Sequence, residues 1–101
     1  MIVYNITNKV MHEIVTEWLQ WQKEEHIPEI MRTGLFTEYK FFRLLEQEEE
    51  EGLTFVVQYF TPSIENYQRY INEFAPALRE KAMQKWGHQF VAFRTVMEVV
   101  N

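Results

Sequence analysis

The chain contains no cysteine and no aspartate. Without a thiol there is no disulfide, no thiolate nucleophile, and no cysteine-based zinc or iron–sulfur site. Without aspartate there is no aspartyl nucleophile and no calcium loop of the usual kind. Serine occurs once, at Ser63, where the pattern reads as a helix start, so a Ser–His–Asp triad cannot be written. Three glycines in 101 residues allow neither a dinucleotide fingerprint nor a glycine-rich phosphate loop. No apolar run approaches the ~18 residues of a membrane span, and Met1 leads into a strand pattern instead of a signal peptide. His12, His26 and His88 lack metal-ligand spacing. The expectation is therefore no metal, no cofactor, no membrane association and a cytoplasmic location.

Hydrophobic residues, by contrast, make up 47% of the sequence and aromatics 16%. A chain of this size with that content forms one domain, residues 1–101, with a core that needs no covalent staples. The net charge is −5, and the ten lysines and arginines are scattered. Such a surface repels phosphate backbones, so nucleic acid is not an expected partner.

Period-2 alternation and β-branched residues make Met1–Asn8 a strand, with Ile2, Tyr4 and Ile6 on one face and Val3, Asn5 and Thr7 on the other. From about His12 to Glu25 the spacing becomes helical, with Met11, Ile14, Val15, Trp18, Leu19 and Gln22 in one stripe. Pro28 predicts an end or bend near His26, and Pro28–Met31 one further short turn. Phe36–Leu45 and Leu53–Phe60 read as strands of a hairpin whose exposed tip carries five glutamates between Glu46 and Glu51. Ser63 is a plausible N-cap of a second helix with Ile64, Tyr67, Ile71, Phe74 and Leu78 in its buried stripe. Pro76 should kink or split that helix, and Gly87 should stop it. Gln89–Val100 is a final strand with Val91, Phe93, Thr95, Met97 and Val99 on one face and Phe90, Ala92, Arg94, Val96 and Glu98 on the other.

The order β-α-β-β-α-β predicts an α+β, ferredoxin-like protomer with strand order 4-1-3-2 and both helices on one face of an antiparallel sheet. The opposite face is expected to carry Val3, Val56, Phe90 and Val96, too apolar for water. Edge strands that are long and hydrophobic add to the case for a homodimer.

Trp18-Leu-Gln-Trp21, Glu25-His26-Ile27-Pro28-Glu29, Thr33-Gly34-Leu35-Phe36, Gln58-Tyr59-Phe60, Ala75-Pro76-Ala-Leu78-Arg79 and Phe90-Val-Ala-Phe93-Arg94-Thr95 run through nearly the whole chain. Together they resemble a family of small uncharacterised bacterial proteins, a domain of unknown function in the dimeric α/β-barrel superfamily. The resemblance implies a ferredoxin-like protomer and an eight-stranded barrel at a dimer interface. It implies no reaction. The superfamily also contains haem-degrading enzymes, whose pattern needs a histidine on the second helix; this chain has none there.

Polar residues in apolar walls mark candidate small-molecule sites. By that criterion Asn5, Gln58, Arg94 and Glu98 are ligand-binding candidates, if the strand registers bring them to one cavity. The competing reading is that they satisfy one another, with Arg94 paired to Glu98. His26 is either an imidazolium at a helix C-terminus or a general acid or base, with Glu25 or Glu29 beside it. Trp18 and Trp21 are core residues or the wall of a cavity that stacks on a planar ligand. His26 and Arg94 are the candidates for catalysis. The leading expectation is a dimeric α/β-barrel protein that binds a small apolar or anionic molecule in the barrel or between sheet and helices. The alternatives are a non-catalytic interaction dimer and a small enzyme resembling cofactor-independent monooxygenases or isomerases.

Overall fold

The alternation that opens the chain continues past Asn8, because Val10 is as apolar as Ile6 and shares its phase; β1 spans Ile2–Met11. The computed structural model describes all 101 residues. β2 (Glu38–Arg43) and β3 (Gly52–Thr61) form the expected hairpin, and β4 (Phe90–Glu98) closes the chain. The sheet order is β2-β3-β1-β4, all antiparallel, as the element order predicts.

Both helical crossovers lie on one face. The first begins with a 3-10 turn, His12–Ile14, and continues as α1 (Val15–Trp21), a π turn (Gln22–His26) and α2 (Ile27–Met31). The second is split in two. Ser63 caps α3 (Ile64–Glu73) by accepting the Asn66 amide at 3.2 Å. Pro76 sits in the first turn of α4 (Ala75–Trp86), where its missing N–H leaves no bond unmade. Gly87 ends α4 at φ 58°, a conformation that disfavours a side chain. The split alters the expected stripe: Tyr70 and Ala75 are buried, while Ile64 is 39% exposed.

Two packed clusters join helices to sheet. Tyr4, Phe36, Tyr59 and Tyr70 form an aromatic nest at one end. At the other end Trp18 lies among Phe41, Phe55 and Phe90, with Trp21 and Trp86 edge to face beside it. Burying each of these large side chains contributes roughly 1.5–3 kcal/mol. The glutamate tip is exposed, and two of its charges are paired, Glu48 with Lys9 and Glu49 with Arg43.

Register settles which residues face away from the helices. Val3 pairs with Phe60 and Met97, Thr7 with Val56 and Phe93, so these side chains share the open face. Phe90 pairs with Val10, and Val96 with Tyr4, which places both on the helical side. The expectation that Phe90 and Val96 belong to the open face is therefore corrected: Val3 and Val56 are there, joined by Phe93 and Met97. Phe93 is 65% exposed. β4 pairs only with β1, so its outer edge is free. No helix is long and apolar enough to cross a membrane.

A polar chamber between the sheet and the helices

Each strand except β2 sends a polar group to the helical side, at successive levels along the sheet. β1 supplies Asn8, β3 supplies Tyr59, and β4 supplies Arg94, which lies opposite Ile6. The π turn adds Gln22 and His26, and α4 adds Arg79. With Ile6, Val57, Ala82 and Phe90 they enclose a chamber of about 30 Å³. That is the space of one water molecule or one ligand oxygen.

The π turn is what brings Gln22 and His26 to this place. At about 100° per residue, an uninterrupted α-helix would set Ile27 about half a turn away from Trp18. Yet Trp18 is 0% exposed and Ile27 and Ile30 are each 1% exposed, all against the sheet. The one wide turn rotates the following helix back by about 100°, so Trp18, Gln22, His26 and Ile30 share a face. Pro28 favours the widening, since it has no N–H to complete a normal α turn.

Two of the lining residues carry buried polar atoms without protein partners: the Tyr59 hydroxyl, on a residue 0% exposed, and Gln22 Oε1, on a residue 4% exposed. Burial pushes the Tyr59 phenol well above its usual range, so it stays protonated and can donate. Asn8 is satisfied; its Nδ2 donates to the carbonyls of Ile6 at 3.3 Å and Phe55 at 3.4 Å. Arg79 Nη2 donates to the Tyr4 hydroxyl at 3.1 Å. Neither Arg79 nor Arg94 takes part in any of the chain's four ion pairs.

Burial lowers the His26 pKa from 6.5 to about 4, against the pull of Glu29 and with help from Arg94 and Lys81. Its ring stacks on Trp21 with centroids 4.5 Å apart. His26 lies within a continuous helical run, since both it and Ile27 are in α conformation. The helix-terminal imidazolium is thereby excluded: at neutral pH this is an uncharged ring. Two guanidinium groups without carboxylate partners, a phenol donor and a neutral imidazole make a set suited to an anionic oxygen.

Of the residues singled out in the sequence, His26 and Arg94 meet at this chamber. Asn5 and Gln58 lie on the opposite face, where Gln58 Nε2 donates to Asn5 Oδ1 at 3.3 Å. There they satisfy each other, and Asn5 is not a second donor beside Arg94. Glu98 is exposed near the end of β4, opposite Ile2, and forms no ion pair with Arg94. Trp18 is pure core, and Trp21 backs His26 without lining the chamber. Asn8, Gln22 and Arg79 are not marked as site residues by the sequence, whereas Tyr59 reads there as either core or cavity wall. Asn8 and Gln22 were findable as polar residues within apolar stripes; Arg79 carries no signal that separates it from the other helix cations.

Outside the two arginines the chamber adjoins a surface groove of about 300 Å³ between α4 and β4. Its walls share Arg79, Ala82, Phe90 and Arg94 with the chamber and add Met83 and Ala92. A wider concavity of about 730 Å³ lies at the other end, between the glutamate tip and the start of β4. It is open, and the Lys9 charge in it is taken by Glu48.

Residues 1–100 match the family described as a domain of unknown function, DUF4286, and the chain belongs to that family. Three solved structures show the same fold at low identity. An EthD family protein from Bacillus halodurans has 16% identity and a TM-score of 0.72, covering 99% of this chain and 100% of its own. SnoaB, a cofactor-independent oxygenase from Streptomyces nogalater, has 9% identity and a TM-score of 0.69, covering 99% and 94%. A dimeric ferredoxin-like protein from an uncultured marine organism has 18% identity and a TM-score of 0.69, covering 100% and 96%. No curated protein matches the chain in sequence.

Proposed function

We propose that this protein binds a small anionic molecule at the chamber between the sheet and the helices, and that it does so as a homodimer. The observation that carries the first part is the convergence of Arg79 and Arg94, neither of them in an ion pair, on a chamber also lined by Tyr59, whose buried hydroxyl has no partner. Both arginines are exposed at the mouth of the chamber, so a ligand reaches them from solvent. The dimer is supported by the apolar open face around Phe93 and Met97, and by a structural neighbour described as dimeric. Joining two such faces buries the patch and leaves the chamber, on the other side of the sheet, unobstructed.

A catalytic version of this reading is favoured by His26. A neutral imidazole beside an anion site can take a proton while the guanidinium groups hold the charge that develops. The cofactor-independent oxygenase among the structural neighbours is consistent with a cofactor-free enzyme on this fold. The interaction-dimer reading is favoured by the Asn5–Gln58 pair, which leaves the open face with polar groups already satisfied.

The test is a thermal-shift and fluorescence titration with a panel of small carboxylates, using the wild type, Arg94→Met and Arg79→Met. The expected result is stabilisation of the wild type and at least ~10-fold weaker binding in each variant, the loss of about one charge-assisted contact. Failure of every anion to bind, or equal binding by all three proteins, overturns the reading.

A further inference from the structure

We propose that the ligand is an amphipathic monocarboxylic acid: its carboxylate sits between Arg79 and Arg94, and its apolar body lies along the α4–β4 groove. This rests on the anion-site reading above and adds the class of molecule.

Size fixes the division of the ligand. A chamber of about 30 Å³ admits one oxygen atom or one water, so the rest of any organic anion lies outside it. The arginines stand where chamber and groove meet, because both are lined by Arg79 and Arg94. A carboxylate there can accept from both guanidinium forks. Its inner oxygen reaches the Tyr59 hydroxyl and Gln22 Oε1 through one water. Such a water accepts from Tyr59 and donates to Gln22 Oε1 and to the carboxylate, which satisfies both orphaned groups.

The groove then fixes what is attached. Beyond the arginines its walls are Ala82, Met83, Phe90 and Ala92, and the volume of about 300 Å³ lies at the lower end for ligand pockets. Met83 is 49% exposed, and its flexible side chain can follow a ligand's shape. No lysine or further arginine lines the groove, so a second anionic group has no counterpart; the remaining titratable group is His88. A short acyl chain or a single ring fits these walls.

Isothermal titration of the wild-type protein with hexanoate, benzoate, acetate and neutral hexanamide tests the proposal. Each buried methylene strengthens binding by roughly 4-fold at most. Hexanoate and benzoate should therefore bind at least ~10-fold more tightly than acetate, with hexanamide much weaker than hexanoate. Met83→Gln, at a half-exposed position and without a new charge one turn from Arg79, should cost hexanoate about 5-fold and leave acetate within about twofold. Arg94→Met should weaken all the acids. If acetate binds as well as hexanoate, or Met83→Gln spares hexanoate, the groove has no part and the proposal fails while the anion site stands. If hexanamide equals hexanoate, the carboxylate assignment fails. If no acid binds, both readings fail together.

Discussion

Phe93 and Arg94 are neighbours in β4 and point to opposite faces of the sheet. Phe93 lies opposite Thr7 on the open face, and Arg94 lies opposite Ile6 on the helical face. One strand thus supplies the apolar patch with one set of side chains and the polar chamber with the other. The two are separable by substitution.

Phe93→Glu should break the homodimer and preserve the fold. The side chain is 65% exposed in the single chain, so the protomer loses little packing, whereas a charge at a facing surface is left desolvated. Light scattering should change from a dimer to a 12.4 kDa species with an unchanged circular dichroism spectrum. Val96→Lys, the substitution that alternation alone would suggest, lies on the other side and should leave the dimer intact. A wild-type monomer, or a dimer unaffected by Phe93→Glu, would contradict this.

His26 predicts an acid-dependent loss of stability. Its pKa is about 4 in the folded chain against an ordinary value of 6.5, so between those values the unfolded chain binds more protons. The contribution is complete above pH ~6.5 and disappears as pH falls towards ~4, amounting to up to about 3 kcal/mol. Urea unfolding from pH 7.5 to 4.5 should show that slope in the wild type and a shallower one in His26→Gln. Equal slopes would mean that the ring is hydrated.

The limits of reading the sequence are visible in these two residues. Within β4 the alternation was correct, since Phe93 and Arg94 fell on different faces. Which face met the helices was not readable there, because both phases of this edge strand are apolar: Phe90 and Val96 look as suited to an open face as Val91 and Met97. Only pairing with β1 decides. Element order, Ser63, Pro76 and Gly87 were legible because each acts through local backbone chemistry. His26 is placed at a helix end by the sequence pattern, since a π turn changes hydrogen-bond partners by one residue and leaves no mark in composition. Arg79 was invisible because a helix cation acquires meaning only from what lies across from it.

Gly52→Ala should destabilise the protein by at least about 2 kcal/mol. A Cβ at Gly52 would lie 2.2 Å from the Val10 carbonyl oxygen, so backbone must move where β1 and β3 meet. Gly34→Ala meets no atom within 4 Å and is strained only by φ 77°, a cost of roughly 1–2 kcal/mol. Chemical denaturation of the two variants should rank them in that order.

Ser63→Ala should cost about 1 kcal/mol by removing the cap on α3. Because the cap is far from the chamber, carboxylate affinity should be unchanged, which makes this variant the control for stability loss without loss of binding.

The wide turn at Gln22–His26 also holds one residue more than ordinary α bonding needs between the tryptophan-bearing and isoleucine-bearing stretches. Keeping every residue but restoring α bonding would swing Ile27 and Ile30 by about 100° relative to Trp18 and take the imidazole away from the arginines. Removing one of the exposed residues Lys23, Glu24 or Glu25 cancels that swing, so a descendant shortened there by one residue keeps His26, Ile27 and Ile30 on their faces with a plain helix. A further insertion has no such compensation, unlike one in the glutamate tip, where length varies at little cost.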